Sequence, residues 1–203
     1  SGGNTGSGGN TIEQVSILTA ANATDFGDLS QLQNNTGSLG SATRAVISLN
    51  APTLEYVEFA TAGNSTDFGD SNFSSGDAFT LSSNSTRGLI ASGADMSNQI
   101  DYITIASTGN ATDFGDNTIA WRYGGATANS TRGLMFGGAI QGVSYVNNIS
   151  YVTIASTGNA TDFGDLTQAR YFVDGASSPT RAVFGGGTAA DRKSTRLNSS
   201  HRT

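Results

Sequence analysis

An all-β fold, a fragment of a β-propeller made of four-stranded antiparallel blades, is what this sequence predicts, and three observations point to it. The phrase Tyr102 to Asp116 (YITIASTGNATDFGD) returns at Tyr151 to Asp165, more loosely at Tyr56 to Asp70, and in worn form at Gln14 to Asp28. The steps between Phe26, Phe68, Phe114 and Phe163 are 42, 46 and 49 residues, a period that marks a radial or stacked repeat. Within each period the residues alternate as in short strands, and no sustained spacing of three and four suggests a helix. Four short strands per period are the signature of a propeller blade, with a β-solenoid of long rungs as the alternative.

The elements of one period follow in order. Tyr102-Ile-Thr-Ile-Ala106 places Ile103 and Ile105 on one face and Tyr102 and Thr104 on the other, the pattern of a half-buried strand. Thr108-Gly-Asn110 offers the positive φ angles of a tight hairpin turn. The chain returns through Thr112-Asp-Phe-Gly115, a third strand is expected at Trp121 to Ala126, and a fourth at Gly133 to Phe136, closed by Gly137-Gly138. Arg44, Arg87, Arg132 and Arg181 lie 16, 17, 16 and 16 residues beyond the last Asp of each TDFGD. The step from Tyr to that Asp stays at 14, whereas the step from Arg to the next Tyr grows from 12 to 15 to 19. Growth confined to one segment marks an exposed loop. The chain divides accordingly into a partial blade at 1–30, blades at 31–70, 71–116 and 117–165, a partial blade at 166–190, and a tail at 191–203.

An apolar strand ending in Gly-Gly (Phe136-Gly-Gly138, Phe184-Gly-Gly186), a Tyr strand, and an aromatic after a Thr-Gly-Asn turn together resemble the kelch repeat of β-propellers over residues 10 to 187. Two departures stand out. The second aromatic is Phe and lies twelve residues after the Tyr, and the double glycine is missing at Ser48-Leu49 and halved at Ser92-Gly93. The wording of the repeat also resembles repeat-rich virion and tail-fibre-like proteins of marine bacteriophages. The tail stretch Asp191 to His201 (DRKSTRLNSSH) shares nothing with the repeat and is similar to the conceptual translation of a short-read sequencing adapter. It is therefore set aside from the fold as non-native. Residues 1–10 lack the Met, basic start and apolar run of a signal peptide, and Gly2-Gly3 stands where a preceding unit's double glycine would fall.

Charge and composition narrow the function. The whole chain carries −6; without residues 191–203, which hold the only Lys and the only His, the remainder carries −9. An acidic body without Lys is no partner for a phosphate backbone, so nucleic acid is not expected. The absence of Cys removes disulfides and thiolate metal sites, and no apolar run reaches the length of a membrane span. Copper-radical chemistry, which the kelch resemblance brings to mind, needs His ligands that the body lacks. Asp-Phe-Gly copies a kinase signature, but in four hairpin copies without a nucleotide loop or a Lys. Ser65-Thr-Asp67-Phe-Gly69 resembles the Asp-box turn of sialidase-like propellers, itself a structural turn. No cofactor is expected except that calcium stays open through Asn110, Asp113 and Asp116, whose acid spacing is sparser than in an EF-hand.

The recurring Arg44, Arg87, Arg132 and Arg181, with Asp67, Asp113 and Asp162, read as structural anchors of the repeat. Each Arg is expected to tie its strand to a carboxylate or carbonyl in the same or the next blade through its donor fork. Four guanidinium groups holding an anion in a central channel are the alternative. The sequons at Asn22, Asn64, Asn84, Asn110, Asn129, Asn148 and Asn159 are read as turn asparagines. No catalytic residue is expected. Recognition should sit in the elastic loops Asn50 to Leu54, Gly93 to Gln99 and Gly137 to Asn148. The candidate binding residues are Trp121, Arg122, Tyr123, Gln141 and Tyr145, since aromatics beside Arg favour interfaces and sugar-binding surfaces. For Trp121, Arg122 and Tyr123 the competing role is packing within the blade. The expected function is non-catalytic recognition of a glycan or protein surface, extracellular or on a virion. A carbohydrate-active hydrolase or lyase and a structural spacer are the alternatives.

Overall fold

Each full period folds into one antiparallel meander in the computed structural model, which describes residues 8–50, 52–73, 79–91, 96–140, 142 and 144–189. Gly2-Gly3, Gln141 and the tail at 191–203 lie outside the described residues. Strands β1 (Gly9–Gln14) and β2 (Thr24–Gln33) make a two-stranded sheet. The first four-stranded sheet is β3 (Gly37–Gly40), β4 (Arg44–Ser48), β5 (Thr53–Glu58) and β6 (Thr66–Asp70). The second is β7 (Thr80–Ser83), β8 (Arg87–Ala91), β9 (Gln99–Thr104) and β10 (Thr112–Asp116). In the third, β11 (Gly125–Ala128) and β12 (Arg132–Phe136) are followed by the small hairpin β13 (Ala139–Ile140) and β14 (Ser144–Tyr145), then by β15 (Asn148–Thr153) and β16 (Thr161–Asp165). Beyond it, β17 (Arg170–Tyr171) pairs with β20 (Thr188–Ala189), and β18 (Asp174–Ser177) pairs with β19 (Ala182–Gly185).

The repeated letters have local causes. Asn84 and Asn129 open the hairpins that precede β8 and β12. The Asn84 side-chain oxygen accepts from the backbone N–H of Thr86 (2.9 Å) and Arg87 (2.8 Å), and Asn129 does the same for Thr131 and Arg132. This side-chain-to-backbone turn is what Asn-Ser-Thr-Arg encodes. In Asp-Phe-Gly the Phe is the extra residue of a β-bulge: Asp113 faces Asp101 and Gly115 faces Ile100, leaving Phe114 between them, and the same slip occurs at Phe68 and Phe163. A bulge twists the strand and needs a permissive residue beside it. Gly69, Gly115 and Gly164 fill that place at φ +135, +139 and +136.

One face of each four-stranded sheet carries the same stack. The guanidinium groups of Arg44, Arg87 and Arg132 lie 4.1, 4.4 and 4.9 Å from the ring centroids of Tyr56, Tyr102 and Tyr151. Those Tyr rings meet Phe68, Phe114 and Phe163 edge to face at 6.0, 5.9 and 5.8 Å. Cation–π and edge-to-face contacts tie three successive strands across the sheet.

The sheets pack face to face, and the apolar residues of each cluster come from two of them. Leu39, Val46 and Phe68 of the first sheet meet Ile90, Ile103 and Ile105 of the second, while Leu89, Ile100 and Phe114 of the second meet Met135, Val152 and Ile154 of the third. The first strands of successive units approach one another, β3 beside β7, β7 beside β11 and β11 beside β18, whereas β4 and β8 or β6 and β10 have no such approach. Sheets that converge on their first strands and spread outward are fanned about an axis, which is the propeller arrangement and not the rungs of a solenoid.

A seam closes each pair of sheets at the outer edge. Gly109 and Ala111 donate their N–H groups to Phe68 O and Asp70 O (both 2.7 Å), and Gly158 and Ala160 donate to Phe114 O and Asp116 O (both 2.7 Å). The side-chain oxygens of Asn64, Asn110 and Asn159 accept from the N–H of Asp28, Asp70 and Asp116 at 3.0, 3.1 and 3.0 Å. Arg44 and Arg87 add a donor each to Ile105 O (3.1 Å) and Ile154 O (2.8 Å) of the following sheet. A buried acid reaches back across the seam. Asp101, fully buried, accepts from Asn72 N (2.8 Å), Asn72 Nδ2 (3.0 Å) and Gln99 Nε2 (2.7 Å), and Glu55 accepts from Ser30 N (3.2 Å). Replacing Asp101 by Asn presents an amide to those donors and is expected to cost about 1–3 kcal/mol, measured by urea unfolding.

The structure moves three expected boundaries. The Tyr strand of the second sheet begins three residues earlier and ends at Thr104, with Ile105 buried just beyond it. The connection at 105–111 is no two-residue turn. Gly109 has φ +148 and Asn110 is not in the positive-φ region, because this stretch extends to reach the neighbouring sheet. The strand expected at Trp121 to Ala126 is β11, Gly125–Ala128, and Trp121 precedes it as a core residue.

Candidate binding site at the inner strands

The approach to β11 and the approach to β18 are counterparts one period apart, and each ends on an aromatic residue with an unusual backbone. Tyr123 has φ +56 and Phe172 has φ +53. Bulky side chains seldom occupy this region, and the strain is held only where surroundings enforce it. Here Phe172 N donates to Tyr123 O at 2.7 Å, and the two rings pack with centroids 4.7 Å apart. Phe172 is 56% exposed despite this contact.

The row continues. Tyr171 lies 4.6 Å from Phe172, and Tyr145 stacks on Tyr171 at 4.3 Å and 26°. Tyr145 arrives on the β13–β14 hairpin, whose base is fixed by a bridge in which Arg122 and Ala139 exchange backbone hydrogen bonds of 3.0 and 2.9 Å. The Arg122 guanidinium stands 5.1 Å from the Tyr123 centroid. Tyr123 and Phe172 also line a cleft of about 390 Å³ between the inner strands, with Thr36 just before β3, Ser38 of β3, Thr80 of β7, and Asp174 of β18. The Asp174 carboxylate accepts from Gly175 N at 2.7 Å. Two of the row's rings, the hydroxyl residues Thr36, Ser38 and Thr80, and the Asp174 carboxylate thus line one cleft, with Tyr171 and Tyr145 continuing the row from Phe172, a mixture that suits a polar ligand with apolar faces.

The Tyr145 hydroxyl is raised above the ordinary tyrosine range, first by its hydrogen bond to Tyr171, then by burial and by the charge Tyr171 would carry. A raised acid favours its neutral form in the fold. That contribution is full below the ordinary tyrosine pKa and is lost as pH rises through the folded value. An absorbance titration of tyrosinate should show Tyr145 ionising above the ordinary tyrosine range, and Tyr171→Phe should return it towards the ordinary midpoint.

The residues singled out in the sequence separate here. Arg122, Tyr123 and Tyr145 join the row. Trp121 does not, because at 1% exposure it is wedged against Gly124 and Gly138, where an added methyl group would lie 1.2 and 2.4 Å from its ring. Gln141 lies outside the described residues. Tyr171 and Phe172 were missed, although they sit 49 residues beyond Arg122 and Tyr123, the step between the third and fourth Phe of the repeat. Register alone would have pointed to them.

The anchor residues are distributed along the repeat. Arg44 also binds Glu58 through Nε at 2.8 Å, Arg181 closes a turn with Ser178, and the carboxylates of Asp113 and Asp162 accept from Gly115 N (3.1 Å) and Gly164 N (3.3 Å), while Asp67 is exposed opposite Glu55. Of the oxygen set considered for calcium, Asn110 is turned to Asp70 N, whereas Asp113 and Asp116 line a separate polar cleft with Asn72 and Asn98. Among the described residues, no three of His, Cys, Asp and Glu gather as a metal site.

No family model matches the chain, and no curated protein sequence does. Its shape is similar to that of YjhT in a solved structure, with a TM-score of 0.72 at 9% identity, over 90% of this chain and 70% of that one. In all, 133 solved chains match it, so the architecture is a recurrent one and names no activity by itself. Together with four-stranded antiparallel sheets fanned about their first strands, the likeness fits a β-propeller-like fold.

Proposed function

We propose that this chain is a non-catalytic recognition module of a kelch-like propeller and that it binds a glycan on the row Tyr123, Phe172, Tyr171 and Tyr145. The observation that supports this most directly is the pair of strained, counterpart residues Tyr123 and Phe172, which hold aromatic rings at the mouth of the axial cleft at a backbone cost. Sugar rings present apolar C–H faces and polar edges. Aromatic rings take the first, while tyrosine hydroxyls, Arg122 and Asp174 take the second. Among the described residues the cleft lining includes a single carboxylate, Asp174, which favours binding over a two-carboxylate hydrolase or a lyase. The resemblance of the repeat to phage virion and tail-fibre-like proteins suits a place on an exposed particle or cell surface, with a structural spacer as the reading that remains if no ligand binds.

Glycan-array screening of the 203-residue chain, followed by titration of the best binder, tests this. Phe172→Gly should weaken binding about tenfold, the loss of roughly 1.4 kcal/mol of stacking. The same change relieves a positive φ, so thermal stability should hold or rise. Full binding by Phe172→Gly, or no glycan bound by the parent chain, would overturn the proposal.

A further inference from the structure

Of the chain's six tyrosines, only Tyr145 and Tyr171 touch one another among the described residues. Tyr56, Tyr102 and Tyr151 each meet a Phe edge to face beneath an Arg, and Tyr123 packs on Phe172. Tyr145 and Tyr171 instead lie ring on ring, with centroids 4.3 Å apart and planes 26° from parallel, and their hydroxyls are hydrogen-bonded to each other. Joining the two oxygens brings together the ring carbons beside them, the ortho carbons of each phenol.

The backbone holds this pair from both sides. Arg170 N donates to Val146 O at 3.2 Å, so the chain neighbours of the two tyrosines are bonded directly. Gly138 N donates to Arg170 O at 2.8 Å, and Val146 N donates to Gly138 O at 2.9 Å, which closes the arrangement on one glycine. Tyr145 pairs with Ala139 across the β13–β14 hairpin, and Tyr171 pairs with Thr188 of β20. Two phenols fixed in this way react as an intramolecular pair, without the cost of an encounter. They also belong to different units. Tyr145 is carried by the hairpin of the third sheet, and Tyr171 lies 26 positions on, in the approach to β18.

We infer that Tyr145 and Tyr171 form an oxidative cross-linking site, which hydrogen peroxide and a haem peroxidase convert to a dityrosine between the third and fourth units. Each phenol gives up one electron and one proton and becomes a phenoxyl radical. The radicals carry spin on their ortho carbons and combine there through one carbon–carbon bond. The hydrogens on those two carbons then pass to the phenol oxygens as the rings regain aromaticity. The pair loses two hydrogen atoms in all, and one molecule of peroxide takes them up as two molecules of water. The chain has no Cys, so a covalent tie between its units cannot be a disulfide. Trp121, the other readily oxidised ring nearby in sequence, is 1% exposed and sits in the core. The site lies on the aromatic row but needs no bound ligand, so it stands independently of glycan recognition.

Treatment of the full chain with equimolar hydrogen peroxide and a catalytic amount of haem peroxidase tests this, read by dityrosine fluorescence and peptide mapping. Tryptic cleavage after Arg132, Arg170 and Arg181 places Tyr145 in residues 133–170 and Tyr171 in residues 171–181. The parent should yield these two peptides joined and two hydrogens lighter than the separate pair, from a chain that keeps its monomer mass. Dityrosine should fall at least about tenfold in Tyr145→Phe and in Tyr171→Phe, because the partner that was held in place is gone. Tyr151→Phe, in the same peptide as Tyr145, should leave the yield unchanged. Each variant loses only a hydroxyl, and circular dichroism should match the parent. No dityrosine in the parent, an undiminished yield in Tyr145→Phe or Tyr171→Phe, or a link found only between chains or at Tyr123 would overturn the inference.

Discussion

Phe114→Ala should lower the unfolding free energy by about 3–5 kcal/mol, while the same change at Phe163 should cost less than about 1 kcal/mol. The two residues stand in one phrase of the repeat, in the same bulge, with the same edge-to-face contact to a tyrosine. They differ in what lies above them. Phe114 is 2% exposed in the cluster shared by the second and third sheets, and Phe163 is 52% exposed. Removing the first ring leaves a cavity between two sheets; removing the second empties space already open to water. Against a total stability of about 5–15 kcal/mol, the first loss is a large fraction and the second is small. Urea unfolding measures both. Equal losses would mean that the Arg–Tyr–Phe stack within a sheet holds the unit together, and not the packing between sheets.

Gly115→Ala should be nearly as damaging, at roughly 4 kcal/mol, and Gly164→Ala clearly milder. Both glycines sit at almost the same angle, φ +139 and +136, so both substitutions carry backbone strain of about 1–3 kcal/mol. Only Gly115 lies beneath a neighbour. Its added methyl would stand 2.6 Å from the carbonyl carbon and oxygen of Gly158 and 2.9 Å from Asn159 N. Those are backbone atoms, fixed by the hydrogen bonds that Gly158 N donates to Phe114 O and Asp116 N donates to the Asn159 side-chain oxygen, and no rotamer change relieves the overlap. The seam would have to open. The difference between the two variants, read from thermal melts and urea midpoints, therefore isolates the close approach of the sheets from the cost of the angle. Identical values would show that the seam tolerates a wider spacing.

Local pattern carried much of the architecture. Alternation at Tyr102 to Ile105 and the Asn-Ser-Thr-Arg turns are each written in a few adjacent residues, because strand pleat and turn are short-range geometries, whereas Asp-Phe-Gly read as a plain returning strand and its bulge shows only in the pairing with β9. Strand ends were less legible. β9 starts at Gln99 and stops at Thr104 because the residues after it are drawn to the preceding sheet, where Asn110 meets Asp70, 40 positions away in sequence. The candidate site was half legible. Trp121, Arg122 and Tyr123 read alike as a cluster, yet Trp121 is turned into the core by the two glycines that make room for it, while Tyr123 faces the cleft. Phe172 and Tyr171 join only because β18 lies beside β11.

By itself, then, the sequence determined the unit: an all-β period, its four strands, and its recurring Arg, Tyr, Phe and Gly. The tertiary structure alone decided that these units fan about their first strands, which copies of one phrase are covered and which are bare, and which aromatic rings meet. The physical reason is range. Hydrogen-bonded pleats and turns depend on neighbours along the chain, whereas burial depends on neighbours in space, and four identical phenylalanines acquire different environments only when the sheets on either side of them are in place.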